Sequence, residues 1–155
     1  MSYQLRQTQL IRVDLPTVFA FFKDPRNLDA ITPPWLGFRV LEASDREVAE
    51  GTRIRYRLRL HGIPLQWESR IAEYHENARF ADTMVSGPYR TWYHQHVFRA
   101  VPEGVEIEDV VDYDLPFGLL GRLAHGVAVR RQLVAIFAYR RQRIDEVFHT
   151  KEVVA

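Results

Sequence analysis

The residue types most able to do chemistry near neutral pH are gathered in one short stretch, Trp92-Tyr93-His94-Gln95-His96-Val97-Phe98. Period-two alternation puts Trp92, His94, His96 and Phe98 on one face of a strand, and the aromatic residues at its ends mark that face as the inner one. Pro102-Glu103 reads as the centre of a hairpin. Pairing Ala100 with Val105 across it sets His96 opposite Asp109, His94 opposite Val111 and Trp92 opposite Tyr113. A carboxylate beside an imidazole fixes the tautomer and tunes the ring as an acid or base, which makes His96 and Asp109 the candidate catalytic pair. The same pair also reads as a mutually satisfied polar couple that orders a wet pocket, and His94 or His96 as a hydrogen-bonding group for a ligand. A metal held by His94, His96 and Asp109 has tolerable ligand types. Alternate residues of one strand lie about 7 Å apart, however, and that spacing argues against chelation, so neither metal nor cofactor is expected.

A hairpin upstream must position the opposite wall. Ile54, Tyr56, Leu58 and Leu60 alternate with Arg53, Arg55, Arg57 and Arg59, and the turn His61-Gly62 returns the chain through IPLQWESRIAEY. Setting Leu60 against Ile63 places Tyr56 opposite Trp67 and Arg55 opposite Glu68, so both faces agree on one register. Tyr56, Trp67, Trp92, Tyr113 and Phe117 then share a concave face and, with Phe98, line a small-molecule pocket beside the two histidines. Trp35 and Phe38, next to Pro33-Pro34, and Tyr89, after Gly87-Pro88, fall on loops at its mouth. The arginine stripe faces away from the aromatics and cannot stack with them, which leaves it a solvated outer face rather than a nucleic-acid surface.

The remaining elements follow from punctuation. Tyr3–Val13 reads as a strand, with Asp14 an N-cap and Pro16 in the first turn of a helix that stops at Asp24-Pro25. A second short helix, Arg26 to Ile31, ends at Thr32-Pro33-Pro34. Strands follow at Arg79–Ser86, Thr91–Ala100 and Val105–Leu115. Beyond Leu115-Pro116-Phe117-Gly118, Leu119, Leu123, Val127, Leu133, Val134, Phe137, Ile144 and Phe148 recur at helical spacing for about 45 Å. Arg130, Arg131, Arg140, Arg141 and Arg143 are expected on the outer face of that helix, while Gly118, Gly121 and Gly126 would let a ligand approach closely or that end move. The result is an α+β chain in which a curved antiparallel sheet wraps a long C-terminal helix.

This order, with Thr32-Pro33-Pro34-Trp35-Leu36-Gly37-Phe38, Gly87-Pro88-Tyr89, Trp92-x-His94-x-His96-x-Phe98 and Tyr113-x-Leu115-Pro116, resembles the helix-grip superfamily. That superfamily, also termed SRPBCC, includes START domains, the birch-pollen allergen type and aromatase/cyclase-like proteins; the closer likeness is to its bacterial ligand-binding, polyketide cyclase-like members. The resemblance spans essentially the whole chain and implies one helix-grip domain over residues 1–155. It implies a small hydrophobic or aromatic ligand held between sheet and helix, or a cyclase or dehydratase using a His–Asp pair for proton transfer.

Composition bounds these readings. The 155 residues are 46% hydrophobic and 26% charged, with a formal net charge of +1 and no cysteine. Disulfide scaffolds, cysteine nucleophiles and thiolate metal sites are excluded, and a reducing, cytoplasmic location is expected. Near-neutral charge argues against nucleic acid, although 19 of the 21 basic residues are arginine. No apolar run has signal-peptide or membrane-spanning length, so no stable membrane insertion is expected. No phosphate loop, nucleophile elbow or dinucleotide fingerprint occurs.

Overall fold

The computed structural model describes residues 2–149. Strand β1 (Tyr3–Ile11) leads into helix α1 (Leu15–Phe22). There Asp14 accepts the Thr17 backbone N–H at 3.2 Å, and Pro16 occupies the first turn. The expected second helix is shorter than its sequence pattern: a 3₁₀ turn at Pro25–Asn27 precedes α2 (Leu28–Ile31), and a further 3₁₀ turn spans Pro34–Leu36. Six strands follow: β2 (Arg39–Ala43), β3 (Arg53–Leu60), β4 (Ile63–His75), β5 (Arg79–Ser86), β6 (Thr91–Val101) and β7 (Gly104–Asp114). They form one antiparallel sheet in the order β1-β7-β6-β5-β4-β3-β2.

Both deduced registers are observed. Leu60 pairs Ile63, Tyr56 pairs Trp67 and Arg55 pairs Glu68, with His61 and Gly62 both at positive φ in the connecting turn. Across β6 and β7, His96 pairs Asp109, His94 pairs Val111 and Trp92 pairs Tyr113. On the outer face Arg53 meets Glu68 at 2.8 Å and Arg55 meets Glu42 at 2.7 Å.

The C-terminal helix departs from a uniform rod. It comprises α3 (Gly118–Ala124), a π-helical turn at His125–Val129 and α4 (Arg130–His149). On an unbroken helix Leu119 would lie within about 40° of Leu133, on the same side. The extra residue of the wide turn rotates everything upstream by about 100°. Gly121 and His125 consequently turn inward, while Leu119, Leu123 and Val127, expected inside, are exposed, as is Val134. A Cβ on Gly121 would meet the Pro116 carbonyl at 2.2 Å, so this glycine serves the packing of α3 on its own strand end rather than a ligand's approach.

Beyond the turn, α4 buries Leu133, Phe137, Arg140 and Ile144, one stripe at i, i+4, i+7 and i+11. Arg140 therefore lies on the inner face, not the outer one. Side chains of β1 fix the seating of the helix: Gln9 Nε2 donates to the Arg141 carbonyl at 2.8 Å, and Gln7 Nε2 to that of Phe137 at 3.1 Å. One core gathers Phe19, Phe80, Phe98 and Ile144 beneath α1, and a second gathers Leu36, Leu58 and Trp67 under the proline turn. Among the described residues no helix is long and apolar enough to cross a membrane.

Candidate functional site

Between the concave sheet face, α4 and the α1–α2 segment lies a cavity of about 190 Å³. Its sheet wall is aromatic. Trp67 stacks on Tyr56 with centroids 5.9 Å apart and meets the edge of Trp92 at 5.2 Å, and Tyr89 leans on Trp92 at 4.9 Å. Ser69 satisfies the polar tips of this wall, accepting Trp67 Nε1–H at 3.0 Å with Tyr56 Oη at 3.3 Å. Burial pushes the Tyr56 and Tyr89 hydroxyls well above their usual range, so both stay protonated. Leu133, Ile136 and Phe137 form the helix wall.

Polar groups converge at one place. Asp82 of β5, His94 and His96 of β6 and Arg140 of α4 all line the cavity, and Asp109 of β7 sits behind them. The Asp109 carboxylate can only accept, so His94 donates to its Oδ1 from Nε2 at 2.8 Å, and His96 presents Nδ1 to the same oxygen at 3.1 Å. The other ring nitrogens point to Asp82: His96 Nε2 is 3.2 Å and His94 Nδ1 3.8 Å from its Oδ2. Arg140 Nε lies 3.9 Å from Asp109 Oδ2 and Arg140 Nη2 3.5 Å from His96 Nδ1. The guanidinium also faces the Phe22 ring at 5.5 Å. Arg140 Nε is buried with no hydrogen-bond partner among the described residues.

The electrostatics follow from this packing. Burial opposes the charge on Asp109, but Arg140 and the two histidines outweigh it and hold the carboxyl well below its usual range. Asp82 is likewise lowered against burial, chiefly through His96. Burial, then the neighbouring His96, lowers His94; for His96 burial is overcome by Asp109 and Asp82, and its pKa rises.

The site residues expected from sequence divide into two groups. Tyr56, Trp67, Tyr89, Trp92, His94 and His96 line the cavity, and Phe38 joins them. Phe98, Tyr113 and Phe117 are not among the lining residues. Phe98 belongs to the core under α1, where it meets Phe19 at 5.1 Å. Tyr113 gives its hydroxyl to a 2.8 Å hydrogen bond with His125, tying β7 to the π turn. Phe117, expected on the concave face, is 82% exposed and stands at a left-handed φ beyond the end of β7. Trp35 is 57% exposed and rests on Tyr139 rather than on the cavity.

The sequence profile of the polyketide cyclase/dehydrase and lipid transport family matches residues 11–137. The chain belongs to this family. Its fold is that of the Bet v1-like helix-grip members. A protein of unknown function from Staphylococcus aureus, SA2116, superposes with a TM-score of 0.72 at 13% identity, covering 98% of this chain and 96% of that one. Ginseng major latex-like protein 151 from Panax ginseng superposes at 0.70 and 13%, covering 96% and 98%. TTHA0849 from Thermus thermophilus superposes at 0.65 and 20%, covering 92% and 97%. At these identities the likeness shows the fold alone. No curated protein matches the sequence.

Two members of the polar group, Asp82 and Arg140, were absent from the sequence-derived site. Both carried a signal. Leu133, Phe137 and Ile144 define a helix face whose remaining position is 140, and Phe80 and Met84 flank Asp82 on one side of β5.

Proposed function

We propose that this family member binds a small, largely apolar molecule, of about the size of one substituted aromatic ring, in the cavity between the sheet and α4. The cavity itself carries the proposal: about 190 Å³ of mainly aromatic and aliphatic lining with its polar groups gathered on one wall. An apolar cavity of about 150 Å³ takes benzene, so the space matches such a ligand. Trp67, Trp92 and the α4 side chains supply contact area. Arg140 Nε, without a hydrogen-bond partner among the described residues, offers a donor to an acceptor oxygen on the ligand, and His94 orients it. The family description names both cyclases and lipid transport, and binding is common to the two. In this reading the chain acts as one domain in the cytoplasm, with the small molecule as its partner rather than nucleic acid.

A second reading, proton transfer during cyclisation or dehydration, is favoured by one observation: His94, His96 and Asp82 face the cavity while Asp109 holds both rings from behind. Native mass spectrometry of freshly purified protein, followed by solvent extraction, tests the proposal. A co-purifying aromatic or short apolar molecule in one-to-one ratio is the expected result, and its conversion on incubation would support the second reading. Apo protein that also takes up nothing from a library of small aromatic compounds would contradict both.

A further inference from the structure

We infer that Asp82, His94 and His96 form a binding site for a divalent first-row transition metal ion, with its open side toward the cavity. The inference goes beyond the apolar-ligand reading and stands without it. The expectation that two residues apart on one strand hold imidazoles too far apart does not survive the geometry: the two rings converge to a centroid separation of 3.8 Å. The third group is not the cross-strand Asp109 but Asp82, one strand over on β5, which pairs directly with His94. One ligand atom from each of the three lies within 4.8 Å of the other two. Asp82 Oδ2 lies 3.2 Å from His96 Nε2 and 3.8 Å from His94 Nδ1. Metal–ligand bonds of about 2.0–2.1 Å set tetrahedral ligand atoms about 3.4 Å apart, so small side-chain movements close the shell.

Two further observations point the same way. Each imidazole turns its second nitrogen to Asp109 Oδ1, at 2.8 and 3.1 Å, the carboxylate–histidine arrangement that fixes ring orientation and raises ligand basicity at metal sites. His94 donates to Asp109 from Nε2, which leaves its Nδ1 lone pair 3.8 Å from the Asp82 carboxylate, and a cation between them removes that conflict. His94, His96 and Asp82 line the cavity and Asp109 does not, so three protein ligands would leave a coordination position for water or for an oxygen of the bound molecule. Two nitrogens and one carboxylate suit zinc, cobalt or iron(II) better than calcium or magnesium, which prefer all-oxygen shells.

Chelator-treated protein titrated with zinc against a chromophoric competitor, and with cobalt(II) followed by visible absorption, provides the test. One equivalent is expected to bind, with an affinity on the order of micromolar or tighter. His94→Ala should weaken it by about 100-fold or more and Asp109→Asn by about 10–100-fold. Asp82→Asn, close to isosteric and checked for fold by circular dichroism, should also lose at least about 10-fold. His75→Ala and His149→Ala remove imidazoles that face Glu73 and Asp145 outside the cavity, and should change nothing. Absence of one-equivalent binding in the unaltered protein would overturn the site. So would binding that survives His94→Ala and Asp82→Asn, or that is lost with His75 or His149. Extraction of an organic ligand reads out separately, so either proposal fails without the other.

Discussion

Replacing Asp109 by alanine is expected to destabilise the protein by about 3–5 kcal/mol, measured by urea unfolding. The side chain is 5% exposed, accepts from His94 at 2.8 Å, faces His96 Nδ1 at 3.1 Å and lies opposite Arg140. Truncation leaves the His94 Nε2–H without its acceptor and the buried Arg140 guanidinium without the carboxylate beside it. Arg140 cannot shed its proton to escape. Its Nε already lacks a hydrogen-bond partner among the described residues, and the loss leaves the guanidinium its 3.5 Å contact with His96 Nδ1 and the Phe22 ring. Removing both charges together, as Asp109→Leu with Arg140→Met, should cost less than Asp109→Ala alone, because an apolar pair of similar volume needs no desolvation. A loss below about 1 kcal/mol for Asp109→Ala would mean that water reaches the cluster, contrary to its burial.

Phe19→Ala should cost about 3–5 kcal/mol. Phe19 is fully buried, with its ring edge-on to Phe98 at 5.1 Å, Tyr74 at 5.9 Å and Phe80 at 6.0 Å. These neighbours come from three strands, so α1 and the sheet cannot collapse together into the space left behind. The same substitution at Phe117 removes a ring that is 82% exposed and should change stability by less than about 0.5 kcal/mol. Thermal and denaturant unfolding of the two variants measures the contrast. Equal losses would contradict the position of Phe117 at the surface.

The two hairpins were legible residue by residue because each had a turn to count from. His61-Gly62 fixed β3 against β4, and Pro102-Glu103 fixed β6 against β7. That placed both histidines and Asp109 correctly on the sheet. The β5–β6 pairing had no such anchor. Asp82 therefore stayed outside the inferred site although it is the direct neighbour of His94. Two further differences arise on the C-terminal helix. Hydrophobic spacing assumes a constant number of residues per turn, and the π turn at His125–Val129 breaks that assumption, turning Leu119 and Leu123 out and His125 in. Arg140 was read by residue type rather than by position, and a lone charge within an apolar stripe is the mark of a polar group that something inside must satisfy. The inward face of β6 is also longer than the cavity it borders. Trp92, His94 and His96 reach the space, whereas Phe98, one alternation further, belongs to the core under α1.

Filling the space from the helix side tests the cavity's role most directly. Ile136 is half-buried on α4, lines the cavity and packs against the cluster formed by Leu36, Leu58 and Trp67. Binding of a panel of aromatic probes from benzene to naphthalene size, followed by ligand-observed NMR, should be saturable in the unaltered protein. Ile136→Trp, which places an indole where a probe would sit, should weaken that binding by at least about tenfold while circular dichroism shows the fold intact. Probes that never bind, or that bind the tryptophan variant equally well, would show that the space between sheet and helix is not where this protein holds a molecule.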